Sequence, residues 1–149
     1  MTKLLIAGSM QATDEMLDYA RRCVQRAKVL NMTIIVGDNP NGVDREVINE
    51  CSKLNVPHMV YHPTCKDIRY KAYNSITIAV PVKILDWNMN SRAIFHQRDK
   101  AMVIDCDQAM FIWNGKSRGT KAGYDYACEI KRTGWLKDFS DGTLQISRS

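Results

Sequence analysis

One pattern recurs three times in this chain, and it constrains the fold more than anything else. An apolar run of strand length leads into a short loop of small residues with glycine, and the loop feeds a helix-like stretch. The clearest instance is Met32 to Val36, then Gly37-Asp38-Asn39-Pro40-Asn41-Gly42-Val43-Asp44, then a helix from Asp44 to Leu54 with Val43, Val47, Cys51 and Leu54 on one face. The first instance is Lys3 to Ala7, a loop from Gly8-Ser9 to the cap candidate Thr13, and a helix over 14–30 with Met16, Ala20, Cys23, Ala27 and Leu30 at helical spacing. The last is Gln108 to Trp113, Asn114 to Gly119, and a helix from Thr120 to Arg132. Strands alternating with helices build right-handed βαβ units. The expected fold class is therefore α/β, an open and mainly parallel sheet with helices on both faces.

Pro57 to Tyr61 reads as a third strand, after which the pattern lapses over residues 64–96. Structureless stretches of that length are uncommon unless they form lids or binding loops. This one holds a β-prone run, Ile76 to Val80, and the aromatics Tyr70, Tyr73, Trp87 and Phe95. Those rings suit a contact between copies of the chain better than stacking on a base. Arg98 to Asp105 reads as a short helix, and in the tail from Gly134 the segment Thr143 to Ile146 reads as an edge strand.

A length of 149 residues suits a single domain with its own core. No apolar run approaches the roughly 20 residues of a membrane span. The five cysteines are scattered and never form a CxxC pair, which argues for a reducing cytoplasm and against disulfides or a zinc site; no metal and no resident cofactor are expected. The net charge of +5 favours anionic partners, nucleotides or nucleic acid, although no basic block demands the latter.

In an open parallel sheet, ligands bind beyond the carboxyl ends of the strands where strand order reverses. All three glycine loops fall on that edge. Glycine lets a backbone approach an anion, and the free N–H groups of a first helical turn point at it. The candidate ligand-binding residues are Gly8 and Ser9; Gly37, Asp38, Gly42, Val43 and Asp44; Gly115, Lys116, Ser117, Arg118, Gly119 and Thr120. The last group combines two cations, two hydroxyls and a helix start. The plainer reading of each loop is a turn with a capping residue and solvated charges. Asp44 either accepts from a ribose hydroxyl or caps its own helix. His62 is a strand-end histidine of the kind that is more often structural; Asp105 and Asp107 are expected to be solvated at the opposite edge.

Taken together, Gly37…Gly42-Val43-Asp44, Arg98-Asp99-Lys100-Ala101-Met102 and Gly115-Lys116-Ser117-Arg118-Gly119-Thr120 resemble the motifs of the SMF/DprA–LOG (SLOG) superfamily of Rossmann-like domains. The Arg98 segment is similar to the Arg-Asn-x-x-Met element that such proteins carry between the two loops. Gly8-Ser9 after a first strand resembles the small stand-alone YspA-like branch. The resemblance covers roughly residues 3–63 and 97–132. It implies a nucleotide or nucleotide-derived ligand of the NAD/ADP-ribose or cyclic nucleotide kind, with Arg98 on a second phosphate or the ribose, and a homo-oligomer, a dimer or higher. Other members hydrolyse cytokinin nucleotides (LONELY GUY) or bind single-stranded DNA.

One departure bears on catalysis. LONELY GUY enzymes carry Pro-Gly-Gly-x-Gly-Thr-x-x-Glu, and aligned on Gly119-Thr120 the glutamate position falls on Gly123. Glycine can neither move a proton nor stabilise an oxocarbenium ion. Asp125 lies two residues on, rotated by about 200° on a helix. The expectation is a binder or sensor, with a nucleoside monophosphate N-glycosidase and a single-strand nucleic-acid binder as the alternatives.

Overall fold

The computed structural model describes residues 1–84 and 89–147. Trp87 therefore lies outside the described residues. Among the described residues, seven strands form one sheet in the order β4-β3-β2-β1-β5-β6-β7. They are β1 (Lys3–Gly8), β2 (Thr33–Gly37), β3 (His58–Pro63), β4 (Ile76–Val80), β5 (Gln108–Trp113), β6 (Thr133–Asp138) and β7 (Leu144–Ser147). Every pairing is parallel except that of β6 with β7. The chain first moves outward from β1 to β4, then crosses back so that β5 pairs with β1. Strand order thus reverses between β1 and β5, and the carboxyl ends there form a ready crevice.

The helices are α1 (Asp14–Val29), α2 (Val43–Leu54), α3 (Ser91–Asp105) and α4 (Arg118–Glu129). Two apolar layers sandwich the sheet. One gathers Ile6, Ile34 and Val60 with Met16, Val24, Val47 and Ile48 of α1 and α2. The other gathers Leu5, Ile35 and Phe111 with Met102, Val103, Tyr124 and Ala127 of α3 and α4. Successive residues of β1, Leu5 and Ile6, therefore point into opposite layers, as a strand buried on both faces requires. Thr13 caps α1, its Oγ1 accepting from the Met16 N–H at 3.2 Å, and Asp14 and Glu15 follow where the helix dipole favours negative charge.

The segment 64–96 contains regular structure. Ile76 to Val80 adds β4 to the sheet edge, and α3 begins at Ser91, seven residues before the expected Arg98. The tail holds β6 as well as the edge strand β7. Asp105 and Asp107 do more than meet water: Asp105 accepts from the Tyr61 hydroxyl and Asp107 from the Lys3 N–H, each at 2.8 Å, tying the carboxyl end of α3 to β3 and the start of β1 to the turn before β5. No described helix is long and apolar enough to cross a membrane.

Candidate functional site

The carboxyl ends of β1 and β5 open into a cleft of about 650 Å³. Its floor is apolar, from Leu5, Ala7, Met102, Val103 and Phe111. Its walls and rim are rich in cations: Arg69, Arg92, Lys116 and Arg118, with the buried Arg98 and the carboxylates of Asp44 and Asp99 in the wall. Of the residues expected from sequence, Gly8, Asp44, Arg98, Lys116, Ser117, Arg118, Gly119 and Thr120 line this cleft. Ser9, Gly37, Asp38, Gly42, Val43 and Gly115 stand behind its wall and build it.

The α4 loop is the open part of the site. Asn114 accepts through Oδ1 from the N–H groups of Lys116 and Ser117, folding the loop back on itself. The Trp113 indole N–H donates to the Ser117 carbonyl at 2.8 Å. No side chain caps α4. A Cβ added at Gly119 would meet nothing within 4 Å, so the first turn faces open space, flanked by the exposed Lys116 and Arg118. Free N–H groups, a bare glycine and two cations are what an oxyanion needs there.

The loop Gly37 to Asp44 behaves differently from the sequence expectation of a phosphate cradle. One N–H at the start of α2 is already taken, that of Val43, which donates to the Ser9 carbonyl at 3.2 Å, although no side chain caps this helix either. Gly42 sits at φ 74°, where its missing Cβ leaves room for the carbonyls of Ser9 and Met10. Gly37 is required for another reason: a Cβ there would lie 2.6 Å from the Asp44 carboxylate and 2.9 Å from the Arg98 guanidinium. These glycines make way for the protein's own groups, not for a ligand.

Beneath that loop lies a buried charge network. Asp38 is fully buried and does not reach the cleft. It accepts from Arg69 through N–H and Nη2, both at 2.9 Å, and from Arg98 Nη1 at 2.7 Å. Burial alone would raise the Asp38 carboxyl, yet its bonds from Arg69 and the charge of Arg98 hold it below its ordinary value. Arg98 also donates to Asp99, from Nη2 at 2.7 Å and Nε at 3.1 Å. Burial opposes its charge, but Asp99, Asp44 and Asp38 more than offset this and keep Arg98 above its usual range. Arg98 is thus committed to carboxylates on three donor atoms, and its expected role on a ligand is reduced to the charge it adds to the cleft. Asp44 is only 6% exposed, and burial pushes its carboxyl up to about 6 despite Arg98 nearby.

Sequence reasoning passed over Arg69 and Arg92, gave Asp99 no role beyond its place in the Arg98 segment, and favoured an interface over a ligand for most of the aromatics, Phe95 among them. Phe95 lies on the cleft wall with the Arg69 guanidinium 4.0 Å and that of Arg98 5.1 Å from its centroid, a stacked arrangement that holds the cations in place. Arg92, Phe95, Asp99 and Met102 follow a 3-4-3 spacing, so one helical face would have revealed them had α3 been started at Ser91. A second hollow of about 450 Å³ continues from the cleft between the amino-terminal halves of α3 and α4, with Arg92, Phe95, Asp99, Arg118 and Gly119 shared by both. His62 lies off the cleft; its Nδ1 sits 3.1 Å from the carbonyls of Pro63 and Lys66, a turn contact. Gly123 lines the cleft beside Phe111, and a Cβ there would come within 2.8 Å of that ring. Among the described residues no cluster of three or more His, Cys, Asp or Glu side chains could hold a metal ion.

No protein-family model and no curated protein sequence matches this chain. Solved structures do. The molybdenum cofactor binding protein from the phototrophic bacterium Rippkaea orientalis superposes with a TM-score of 0.74 at 15% identity, over 91% of this chain and 75% of that one. The molybdenum cofactor carrier protein from Chlamydomonas reinhardtii gives 0.69 at 14% identity, with the same coverage. DNA processing protein A from Helicobacter pylori, which binds single-stranded DNA, gives 0.66 at 13% identity, over 91% of this chain and 64% of that one. At these identities the likeness is one of fold, the open, mainly parallel Rossmann-like sheet that the alternation of strands, glycine loops and helices predicted.

Proposed function

We propose that this chain binds a phosphorylated, nucleotide-type small molecule in the cleft between β1 and β5, as a carrier or sensor. The observation that carries this reading is the start of α4. Its first turn has no side-chain cap, it opens onto a cleft of about 650 Å³, and Lys116 and Arg118 stand beside it. A volume of that size suits a nucleotide-sized ligand, and the apolar floor accommodates a planar ring system. Structural neighbours that bind a molybdenum cofactor support a small-molecule ligand. Kinship with the YspA-like SLOG branch, and an NAD/ADP-ribose-like or cyclic nucleotide ligand, belong to the same proposal.

The N-glycosidase alternative loses ground on a specific contact. A glutamate at position 123 would start from a Cβ 2.8 Å from the Phe111 ring, so this helix face is built for glycine. The DNA-binding alternative draws on the neighbour from Helicobacter pylori and on the cationic rim.

Calorimetric titration with mono- and dinucleotides, ADP-ribose, cyclic nucleotides and a single-stranded oligonucleotide tests the reading. Phosphorylated nucleosides are expected to bind and their dephosphorylated forms to bind far more weakly. Arg118→Ala should weaken binding by about 1.5–3 kcal/mol, as for hydrogen bonds to charged groups, with an unchanged thermal midpoint. Tight binding of the oligonucleotide alone would favour the DNA reading, and rapid release of adenine from AMP the glycosidase.

A further inference from the structure

The cleft wall carries one polar group that the protein leaves under-satisfied. Asp44 opens α2 and lines the cleft, yet more than nine-tenths of it is buried. A carboxylate has about four acceptor positions. Among the described residues Asp44 has a single hydrogen bond, a long one of 3.4 Å from the Asn39 N–H to Oδ2. It makes no direct ion pair there. The guanidiniums around it are spoken for: Arg98 bonds Asp38 and Asp99, and Arg69 bonds Asp38. Such a group normally finds donors, because a buried acceptor without them is costly.

Its surroundings bear on its charge from every side. Arg98 and Asp99 face it from α3, Asp38 and the Asn39 N–H from its own loop, and Lys116, Arg118 and Arg69 stand on the same cleft. The one guanidinium close by favours its ionised form, while burial and two carboxylates oppose it. A donor brought by a ligand would supply what the chain does not.

Resting on the nucleotide-binding reading above, we propose that Asp44 is the specificity-determining acceptor of the cleft: it takes a hydrogen bond from a hydroxyl or N–H group of the bound molecule. The ligand class is then a phosphate-bearing nucleoside whose ribose hydroxyls or base N–H groups are free, with the phosphate at α4 and the donor at Asp44. A molecule offering phosphate alone leaves Asp44 as it stands.

The test uses the full chain and the probes AMP, 2′,3′-dideoxyadenosine monophosphate, GMP and ADP-ribose, titrated calorimetrically at pH 7.5 against wild type and Asp44→Asn. The expected result is a preference of about tenfold or more for a donor-bearing probe over its donor-lacking counterpart, falling to within about threefold in Asp44→Asn. A preference for AMP over the dideoxy compound assigns the donor to the sugar; a preference between GMP and AMP assigns it to the base, to the N1–H and N2–H groups of guanine if GMP is favoured and to the N6–H of adenine if AMP is. In wild type the same ratio should shrink between pH 7.5 and 5, as Asp44 takes up a proton, while the phosphate's own titration cancels between paired probes. This keeps the test independent of whether Asp44→Asn folds. Binding with equal affinity for paired probes, or with ratios untouched by the substitution and by pH, overturns the role of Asp44 and leaves the nucleotide site standing. Failure of every probe to bind overturns both.

Discussion

Replacing Asp44 by asparagine should stabilise the protein, by an amount that depends on pH. The side chain keeps its shape and loses its charge. In the folded state the Asp44 carboxyl is raised from 3.8 to about 6, with burial as the main cause. A shift of roughly two units, each worth about 1.4 kcal/mol, amounts to about 3 kcal/mol. The sign follows from proton linkage: a carboxyl raised on folding binds its proton more tightly in the native state. Its contribution is fully present below the unfolded value near 4 and is lost as pH rises through about 6. Asparagine does not titrate, so the variant should gain on wild type across that window and hold its lead at neutral pH. Arg98 keeps Asp38 and Asp99 as counterions in the variant, so the guanidinium is not stranded. For a chain of this size the gain corresponds to a relative rise of about 6–12 °C in Tm between pH 4 and 7. Urea unfolding of both proteins at several pH values reads it directly, since the other carboxylates titrate in both. A difference that stays flat from pH 4 to 7.5, or that turns against the variant as pH rises, would refute the account of Asp44 as a buried group short of donors.

Two further outcomes follow from packing and from exposed surface. Gly123→Ala places a Cβ 2.8 Å from the Phe111 ring; overpacking of about 1–3 kcal/mol should outweigh the roughly 1 kcal/mol gain in helix propensity, so the urea midpoint falls, and a rise would show that the ring gives way freely. The chain is also expected to self-associate, most simply as a symmetric dimer, because Ile76 on β4 and Leu144 and Ile146 on β7 are exposed on the two edge strands; a monomer in sedimentation at tens of micromolar would dismiss this.

The sheet was legible because its evidence is local. β1, β2 and β5 are apolar runs followed by glycine loops, and such runs read as strands buried on both faces. The start of α3 was not legible, and Arg98 is the reason. The inward positions of that helix are Ile94, Arg98, Met102 and Val103, so a buried guanidinium interrupts the apolar period just where the helix should be recognised. β6 was hidden in the same way: Gly134, Leu136 and Asp138 point inward, and two of these resemble turn residues. At the site, the loop before α4 showed its chemistry openly, as cations, hydroxyls and glycine in one stretch. The loop before α2 was misleading. Its glycines looked like room for phosphate, whereas the space is filled by the Ser9 and Met10 carbonyls and by Asp44 and Arg98. Asp44 belongs to the loop, but Ser9 and Met10 lie some 30 residues before it and Arg98 some 60 after Gly37, and no local pattern announces those. Arg69 is the same case, a loop residue whose partner Asp38 is brought to it only by the sheet.

Ser9 has a consequence for how quickly the proposed ligand would be taken up. Its N–H donates to the Ile112 carbonyl, its carbonyl accepts from Val43, and its Oγ meets the Ser117 hydroxyl at 2.8 Å and the Asn114 N–H at 3.0 Å. One small side chain and its peptide groups thereby join all three glycine loops into a single unit. The loops are ordered when the chain folds, so an arriving molecule bears little of the entropic cost of ordering them. With that cost absent, capture should be set by diffusion and by attraction to the cationic rim, and should slow as salt is added. Differences among ligands would then appear in how long each one stays.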